Sequence, residues 1–419
     1  MTFDPAREIQ DFLAFGEFGD VNPSICDSST FTFLSIARME EVFEHEIEGC
    51  FLYARHWNPT NKSLAAALAR MEAGESAQVM ASGMAAISTS LLQLCSAGDE
   101  IVSGRTVYGG TYALLANLLP RFGIRTTFVD LGDLRAVRAA VTEKTRVIYC
   151  ESVSNPLLEV ADIPTLAGVA KERGVTLVVD NTFSPLILSP LRLGADVVVH
   201  SMTKFINGTS DCVAGCVISS HDFIARLNHI NSGPSMLLGP VLDNHRAASI
   251  LKNLHSLHVR LVRHSMNALF LAAQCHDAGL TVYYPGLAHH PQHELMARLM
   301  NRGFGYGGIV AVDVGDKATA DRLMMRMQEE RVGYLAVSLG YFKTLFSAPG
   351  HSTSSEIPAE ERQRMGMGEG LIRFSVGLDN DMERTWGTIR ALLQELGISG
   401  RASGRPGRPG TGGYGTASA

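Results

Sequence analysis

Val175-Thr-Leu-Val-Val179 runs into Asp180-Asn-Thr-Phe183, and Ala195-Asp-Val-Val-Val199 runs into His200-Ser-Met-Thr-Lys204. Short apolar runs rich in β-branched residues predict strands buried on both faces, as in a parallel sheet. Each run delivers polar groups at its C-terminal end, a carboxylate from the first and Ser201, Thr203 and Lys204 from the second. In open α/β sheets, ligands bind outside the carboxyl ends of the strands. A lone lysine after an apolar run is ordinarily a surface residue. An acid and an amine on two successive strand ends form a more specific pattern.

Working outward, residues 63–71 and 84–95 read as helices and 77–80, 100–102, 125–129 and 146–150 as strands. Alternation of this kind predicts an α/β domain over 58–255, with a large mostly parallel sheet covered on both faces. Beyond 256 the pattern changes to a long amphipathic helix over 257–278, strands at 281–284, 308–314 and 371–376, and helices over 317–331 and 381–396. That predicts a smaller C-terminal α+β domain over 256–399. Residues 1–57 lack strong periodicity and read as an N-terminal arm that finds its partners elsewhere. Residues 400–419 are rich in Gly, Pro, Ser and Thr and read as a disordered tail.

Composition narrows the function classes. The net charge is −6, and three of the arginines lie in the tail, so no basic footprint for nucleic acid is expected. No uninterrupted apolar run approaches the ~18 residues of a membrane span, and the first segment has no secretory pattern, which predicts a cytoplasmic chain without a membrane partner. Seven scattered cysteines, an odd number, argue against a disulfide framework. Cys212 and Cys216 share helical spacing without a nearby ligand partner, and His289-His-Pro-Gln-His293 fits no zinc pattern and reads as a surface loop. No metal is expected.

Other segments add to the strand-end pair. Ser82-Gly83-Met84 precedes a helix, where free N–H groups beside a residue without a side chain cradle phosphate or simply make a tight turn. Tyr108, before Gly109-Gly110, is a loop aromatic or a residue that stacks on a flat ring. Arg55, two residues after Tyr53, has the donor fork suited to phosphate, though taken alone it reads as an ordinary surface arginine. Arg373 sits among Leu371, Ile372, Phe374 and Val376, so it must find an anion, either a structural carboxylate or that of a substrate. An acid for a pyridine nitrogen and a lysine for a Schiff base are what pyridoxal phosphate requires. Gly-x-Ser-x-Gly and P-loop motifs are absent.

Taken in order, Tyr53-Ala-Arg-His-Trp-Asn-Pro-Thr60, Ser82-Gly-Met-Ala-Ala-Ile87, Tyr108-Gly-Gly-Thr111, Glu151-Ser-Val-Ser-Asn-Pro156, Val179-Asp-Asn-Thr182 and Ser201-Met-Thr-Lys204 resemble the Cys/Met-metabolism family of fold-type I pyridoxal-phosphate enzymes. The resemblance covers roughly residues 45–395. It implies a seven-stranded large sheet and a small-molecule amino-acid substrate. Lys204 would attach the cofactor and shuttle protons, and Asp180 would pair with the pyridine nitrogen. Tyr108 would stack on the ring and assist the leaving group. Gly83, Met84, Ser201 and Thr203 would hold the phosphate, with Asn155 near the ring hydroxyl and Ser338 and Arg373 on the substrate carboxylate. Tyr53 and Arg55 would reach the phosphate of a neighbouring subunit, implying a homotetramer built as a dimer of active dimers.

Within the family, cystathionine enzymes usually carry a Glu where this chain has Val337 and often an Arg where it has Gly110. The segments 235–240, 285–287, 290–293 and 352–356 point to the methionine-cleaving branch. The implied reaction is γ-elimination of L-methionine to methanethiol, 2-oxobutanoate and ammonia. γ-Replacement on an O-acylhomoserine, of the sulfhydrylase or cystathionine-synthase type, is the alternative, and a non-catalytic binding module of this fold a more remote one. Placing Glu at 337 and Arg at 110 is expected to admit cystathionine.

Overall fold

A computed structural model describes residues 3–398 apart from 14, 17–18, 45–46, 48 and 353–355. The tail expected over 400–419 lies outside the described residues, as does part of the segment 352–356. The first sheet contains β1 (Ser76–Met80), β2 (Glu100–Gly104), β3 (Arg125–Val129), β4 (Thr145–Glu151), β5 (Thr176–Asp180), β6 (Val197–Ser201) and β7 (Gly215–Ser219), in the order β1-β7-β6-β5-β4-β2-β3. β3, β2, β4, β5 and β6 run parallel, and β7 is antiparallel to both β6 and β1. The continuous apolar runs are explained by burial on both faces: Leu177, Val178, Val179, Val198 and Val199 are fully buried.

β7 escapes the sequence reading, and the helical spacing of Cys212 and Cys216 misleads there. Cys216 lies on this strand opposite His200 and Val79. All seven cysteines are free thiols, four of them buried. In the histidine segment 289–293, His289 and Pro291 are exposed, as a surface loop predicts, but one residue turns inward. His290 is buried, which pushes its imidazole down to about 4.

Two helices position the site. In α1 (Pro59–Met71), Asn58 caps the first turn by accepting from the Thr60 N–H at 2.9 Å, and Pro59 at the first position has no N–H to strand. In α2 (Gly83–Leu94), the Ser82 hydroxyl accepts from the Ala85 N–H at 3.0 Å. α2 packs on β6 and β7 through a buried face that includes Ala86, Ile87 and Leu91. Burial of Ile87 and Leu91 contributes about 1.5–3 kcal/mol each.

The second sheet joins β8 (Thr281–Tyr283), β9 (Ile309–Asp313), β10 (Tyr334–Leu335), β11 (Leu345–Ser347) and β12 (Leu371–Ser375) in the order β10-β11-β12-β9-β8, antiparallel except for β10 with β11. It has its own core around Tyr284, Val310, Phe346 and Ile372. The two sheets fall on either side of residue 256. The arm contains short helices at Pro5–Gln10 and Ile36–Glu44. Ile9 of the first is buried in the large core, so part of the arm docks on its own chain. Leu34, Ile36 and Phe43 by contrast are exposed.

Candidate active site

The ends of β4, β5 and β6 and the start of α2 converge on one edge of the large sheet. Glu151 and Asp180 stand opposite each other in the β4–β5 register, and Asp180 stands opposite Val199 of β6. The Asp180 carboxylate accepts from the Thr182 N–H at 2.9 Å and the Tyr149 hydroxyl at 3.4 Å, both neutral donors. Burial raises its pKa, while the Thr182 bonds, the charge of His200 and the Tyr149 bond oppose that rise. A cation brought against this buried acid would favour its ionised form.

The α2 N-terminus provides an anion cradle. The first intrahelical bond runs from the Ala86 N–H to Ser82 O, so the amides of Gly83 and Met84 have no acceptor within the helix. Position 83 must be glycine for a steric reason. A Cβ there would lie 2.7 Å from Ser201 Cβ and 3.1 Å from its hydroxyl oxygen. The backbone of α2 and the Ser201 hydroxyl thus meet in one niche suited to a phosphate. Thr203 is differently engaged: its Oγ1 donates to Ala214 O at 3.2 Å and accepts from the Ala214 N–H at 2.9 Å. In this chain its hydroxyl shapes the lysine loop.

Lys204, in the turn after β6, donates to the Ser338 hydroxyl at 3.2 Å. Burial, and then the charge of Arg373, lower its pKa to about 8, so its amine becomes nucleophilic near neutral pH. Arg373 is buried on β12. Its Nη1 donates to Asn155 Oδ1 at 3.0 Å and its Nη2 to Ser347 Oγ at 3.5 Å, while its Nε has no partner. The anion demanded by the sequence is therefore not supplied by a structural carboxylate bonded to this guanidinium. Its direct partners are neutral, and burial lowers its pKa to about 10.

Tyr108 caps the short helix Gly109–Ala113 and is 39% exposed. Its ring folds over Gly110, where a Cβ would come within 2.5 Å of the ring carbon Cε1. Burial, and then the charge of Glu356, raise the phenol pKa, so the hydroxyl keeps its proton. Lys204, Ser338, Asp180, Asn155, Arg373, Gly83, Met84 and Ser201 are thus tied to the same strand-end region. Tyr53 and Arg55 are held elsewhere. Arg55 donates to Met236 O at 2.7 Å, on α3 (Pro234–Leu238), and its guanidinium lies 5.9 Å from the Tyr53 ring centroid.

Sequence reasoning missed three supports. Glu151 accepts from the Tyr108 N–H at 2.7 Å and the Asn155 N–H at 2.9 Å. Thr182 holds the Ser201 N–H at 2.8 Å. On the covered side, His200 Nε2 meets Glu72 Oε1 at 2.7 Å, with both side chains fully buried. Glu151, Thr182 and His200 all stand in the quoted segments, but nothing local in those segments marked what they bond. Among the described residues, no cluster of His, Cys, Asp or Glu suited to a metal occurs.

The model of the Cys/Met metabolism PLP-dependent enzymes matches residues 11–384. The chain belongs to this family. Methionine gamma-lyase of Arabidopsis thaliana is 44% identical, with 91% of this chain and 88% of that protein covered. L-methionine gamma-lyase of Pseudomonas putida is 39% identical, with 86% and 90% covered. A Campylobacter jejuni structure described as an O-acetylhomoserine (thiol)-lyase superposes with a TM-score of 0.86 at 27% identity, covering 94% of this chain and all of that one. It carries a pyridoxyl-lysine phosphate. This member of the family accordingly has the fold-type I α/β architecture and uses pyridoxal phosphate. Its own residues fit that group: a niche that a Cβ would fill, a buried acid with neutral donors, and a lysine of lowered pKa. Among the described residues, no helix is long and apolar enough to cross a membrane.

Proposed function

We propose that this chain is a carbon–sulfur lyase that carries out γ-elimination on L-methionine, giving methanethiol, 2-oxobutanoate and ammonia. The observation that carries the reading is Lys204 on Ser338, within reach of the charge of a buried Arg373 whose direct partners are neutral. The two methionine gamma-lyase relatives and the uncharged positions Gly110 and Val337 support the choice of substrate.

In this reading the Gly83 and Met84 amides and the Ser201 hydroxyl hold the phosphate, with Thr203 keeping the loop in shape. Asp180 pairs with the pyridine nitrogen, Asn155 lies beside the ring hydroxyl and Tyr108 stacks on the ring. When bound, pyridoxal phosphate supplies an electron sink for negative charge developing on the substrate carbons. Arg373 and Ser338 hold the substrate carboxylate. Lys204 Nζ takes the Cα proton and then moves a proton from Cβ, whose electron pair lets the Cγ–S bond break, and water finally releases 2-oxobutanoate and ammonia. The Tyr108 hydroxyl, kept protonated by its raised pKa, gives its proton to the sulfur leaving Cγ.

The lowered Lys204 pKa has a definite sign. Below about 8 the amine is mostly protonated and cannot attack; above it, the neutral form dominates. The rate of covalent cofactor attachment to the apoprotein is expected to rise about tenfold per pH unit and level off near pH 8. A rise that continues to the ordinary lysine value of 10.5 contradicts the assignment.

Residues 58–255 form the cofactor-binding unit in this reading and 256–399 the unit that supplies Ser338 and Arg373. The arm, 1–57, offers Tyr53 and Arg55 to a neighbouring site, within a homotetramer that pairs two active dimers. The exposed Leu34, Ile36 and Phe43 support burial against another copy. Free thiols throughout suit a cytoplasmic location. Mixing inactive Arg55→Ala and inactive Lys204→Ala subunits is expected to restore part of the activity, because one site of the hybrid is intact. No recovery after verified subunit exchange would argue for a site built within one chain.

γ-Replacement on an O-acylhomoserine is the second reading, supported by the name of the C. jejuni structure. The intact set of Lys204, Asp180, Tyr108 and Arg373 argues against a non-catalytic binding module. Supplying O-acetylhomoserine with and without a thiol separates elimination from replacement. The lyase reading predicts 2-oxobutanoate in both cases, whereas thioether formed only when thiol is present supports the second.

A further inference from the structure

Glu151 ends β4 directly beside Asp180. Burial pushes its carboxyl up to about 8, as does the neighbouring Asp180 charge, so this position is electrostatically costly for a second acid. Its two oxygens are both used. Oε1 accepts from the Tyr108 N–H at 2.7 Å, and Oε2 accepts from the Asn155 N–H at 2.9 Å. Asn155 in turn accepts from Arg373 Nη1 at 3.0 Å through its side chain. One carboxyl group therefore joins two loops that are far apart in sequence, one carrying the aromatic residue and the other bracing the guanidinium.

We infer that Glu151 is a positioning residue that sets the Tyr108 loop and, through Asn155, the Arg373 guanidinium against the same substrate. The inference rests on the roles proposed above for Tyr108 and Arg373. An acid does this better than other polar residues because both donors are backbone N–H groups. Each oxygen of a carboxyl group has a lone pair for an N–H whether or not the group is protonated, whereas the amide of glutamine turns a donor toward one of them. That leaves one loop without its partner.

Glu151→Gln holoenzyme is expected to lose about ten- to a hundredfold in kcat/KM, the cost of an unsatisfied buried donor. The loss is expected in both parameters, a higher KM from the loosened guanidinium and a lower kcat from the displaced phenol. A second readout is the affinity for L-alanine, which lacks a leaving group at Cγ, followed by the change in cofactor absorbance. That affinity should fall about tenfold. Because alanine binding needs no turnover, it tests the inference even if methionine proves not to be the substrate. In an Arg373→Lys background the substitution should add much less to KM than it does alone, since the Asn155 link is already altered. A variant with a lower melting temperature but unchanged kcat, KM and alanine affinity would overturn the inference, as would full additivity with Arg373→Lys. If Glu151→Gln does not fold, Glu151→Asp, which keeps both oxygens but withdraws them by one methylene, is judged by the same measurements.

Discussion

Replacement of Lys204 by alanine is expected to lower turnover by at least about a thousandfold, because it removes both the attachment point and the proton carrier in one step. Lys204 is the sole lysine between positions 172 and 251, so no neighbour in sequence can take over. The fold should survive. Lys204 is not fully buried, and its amine donates to the Ser338 hydroxyl. The niche built by Gly83, Met84 and Ser201 is unchanged, so the variant should still hold the cofactor without a covalent bond. Mass spectrometry after borohydride reduction checks this: the wild-type chain retains the cofactor mass on Lys204, and the variant retains none. Unchanged turnover in the variant would sink the assignment.

Methionine is expected to be processed about ten- to a hundredfold better than cystathionine in kcat/KM. The distal amino and carboxylate groups of cystathionine would lose water without gaining partners, at about 1–3 kcal/mol per unsatisfied group. Read from the sequence alone, Glu at 337 and Arg at 110 should together admit cystathionine. The structure separates the two positions. Val337 is 60% exposed and adjoins Ser338, so Val337→Glu places a solvated carboxylate near the substrate and should narrow the gap. Any side chain at 110 meets the Tyr108 ring within 2.5 Å. Gly110→Arg should therefore displace that ring and lower kcat on both substrates. Steady-state kinetics on the two variants and both amino acids decide between these outcomes.

The parts of the site legible in sequence are those that local pattern encodes. Val178–Val179 and Val197–Val199 could only be buried strands, and a strand end fixes where Asp180 and Lys204 emerge. Ser82 and Gly83 marked a helix start with bare amides. Tertiary partners were not legible. β7 was hidden because its five residues, Gly-Cys-Val-Ile-Ser, are too short for strand alternation to compete with a helical cysteine spacing. Glu151 gave no sign that one of its oxygens serves the loop at 108, because a hydrogen bond across 43 residues leaves no periodicity. For the same reason the neutral hydrogen-bond partners of Arg373 and the closure of Thr203 on Ala214 became visible only with the chain folded.

The most direct test of the account is the fate of L-methionine supplied alone to the purified holoenzyme. Methanethiol, 2-oxobutanoate and ammonia should appear in equal amounts with no thiol added, and none should form with Lys204→Ala. Intact methionine after prolonged incubation, with the same preparation joining O-acetylhomoserine to an added thiol, would contradict the account.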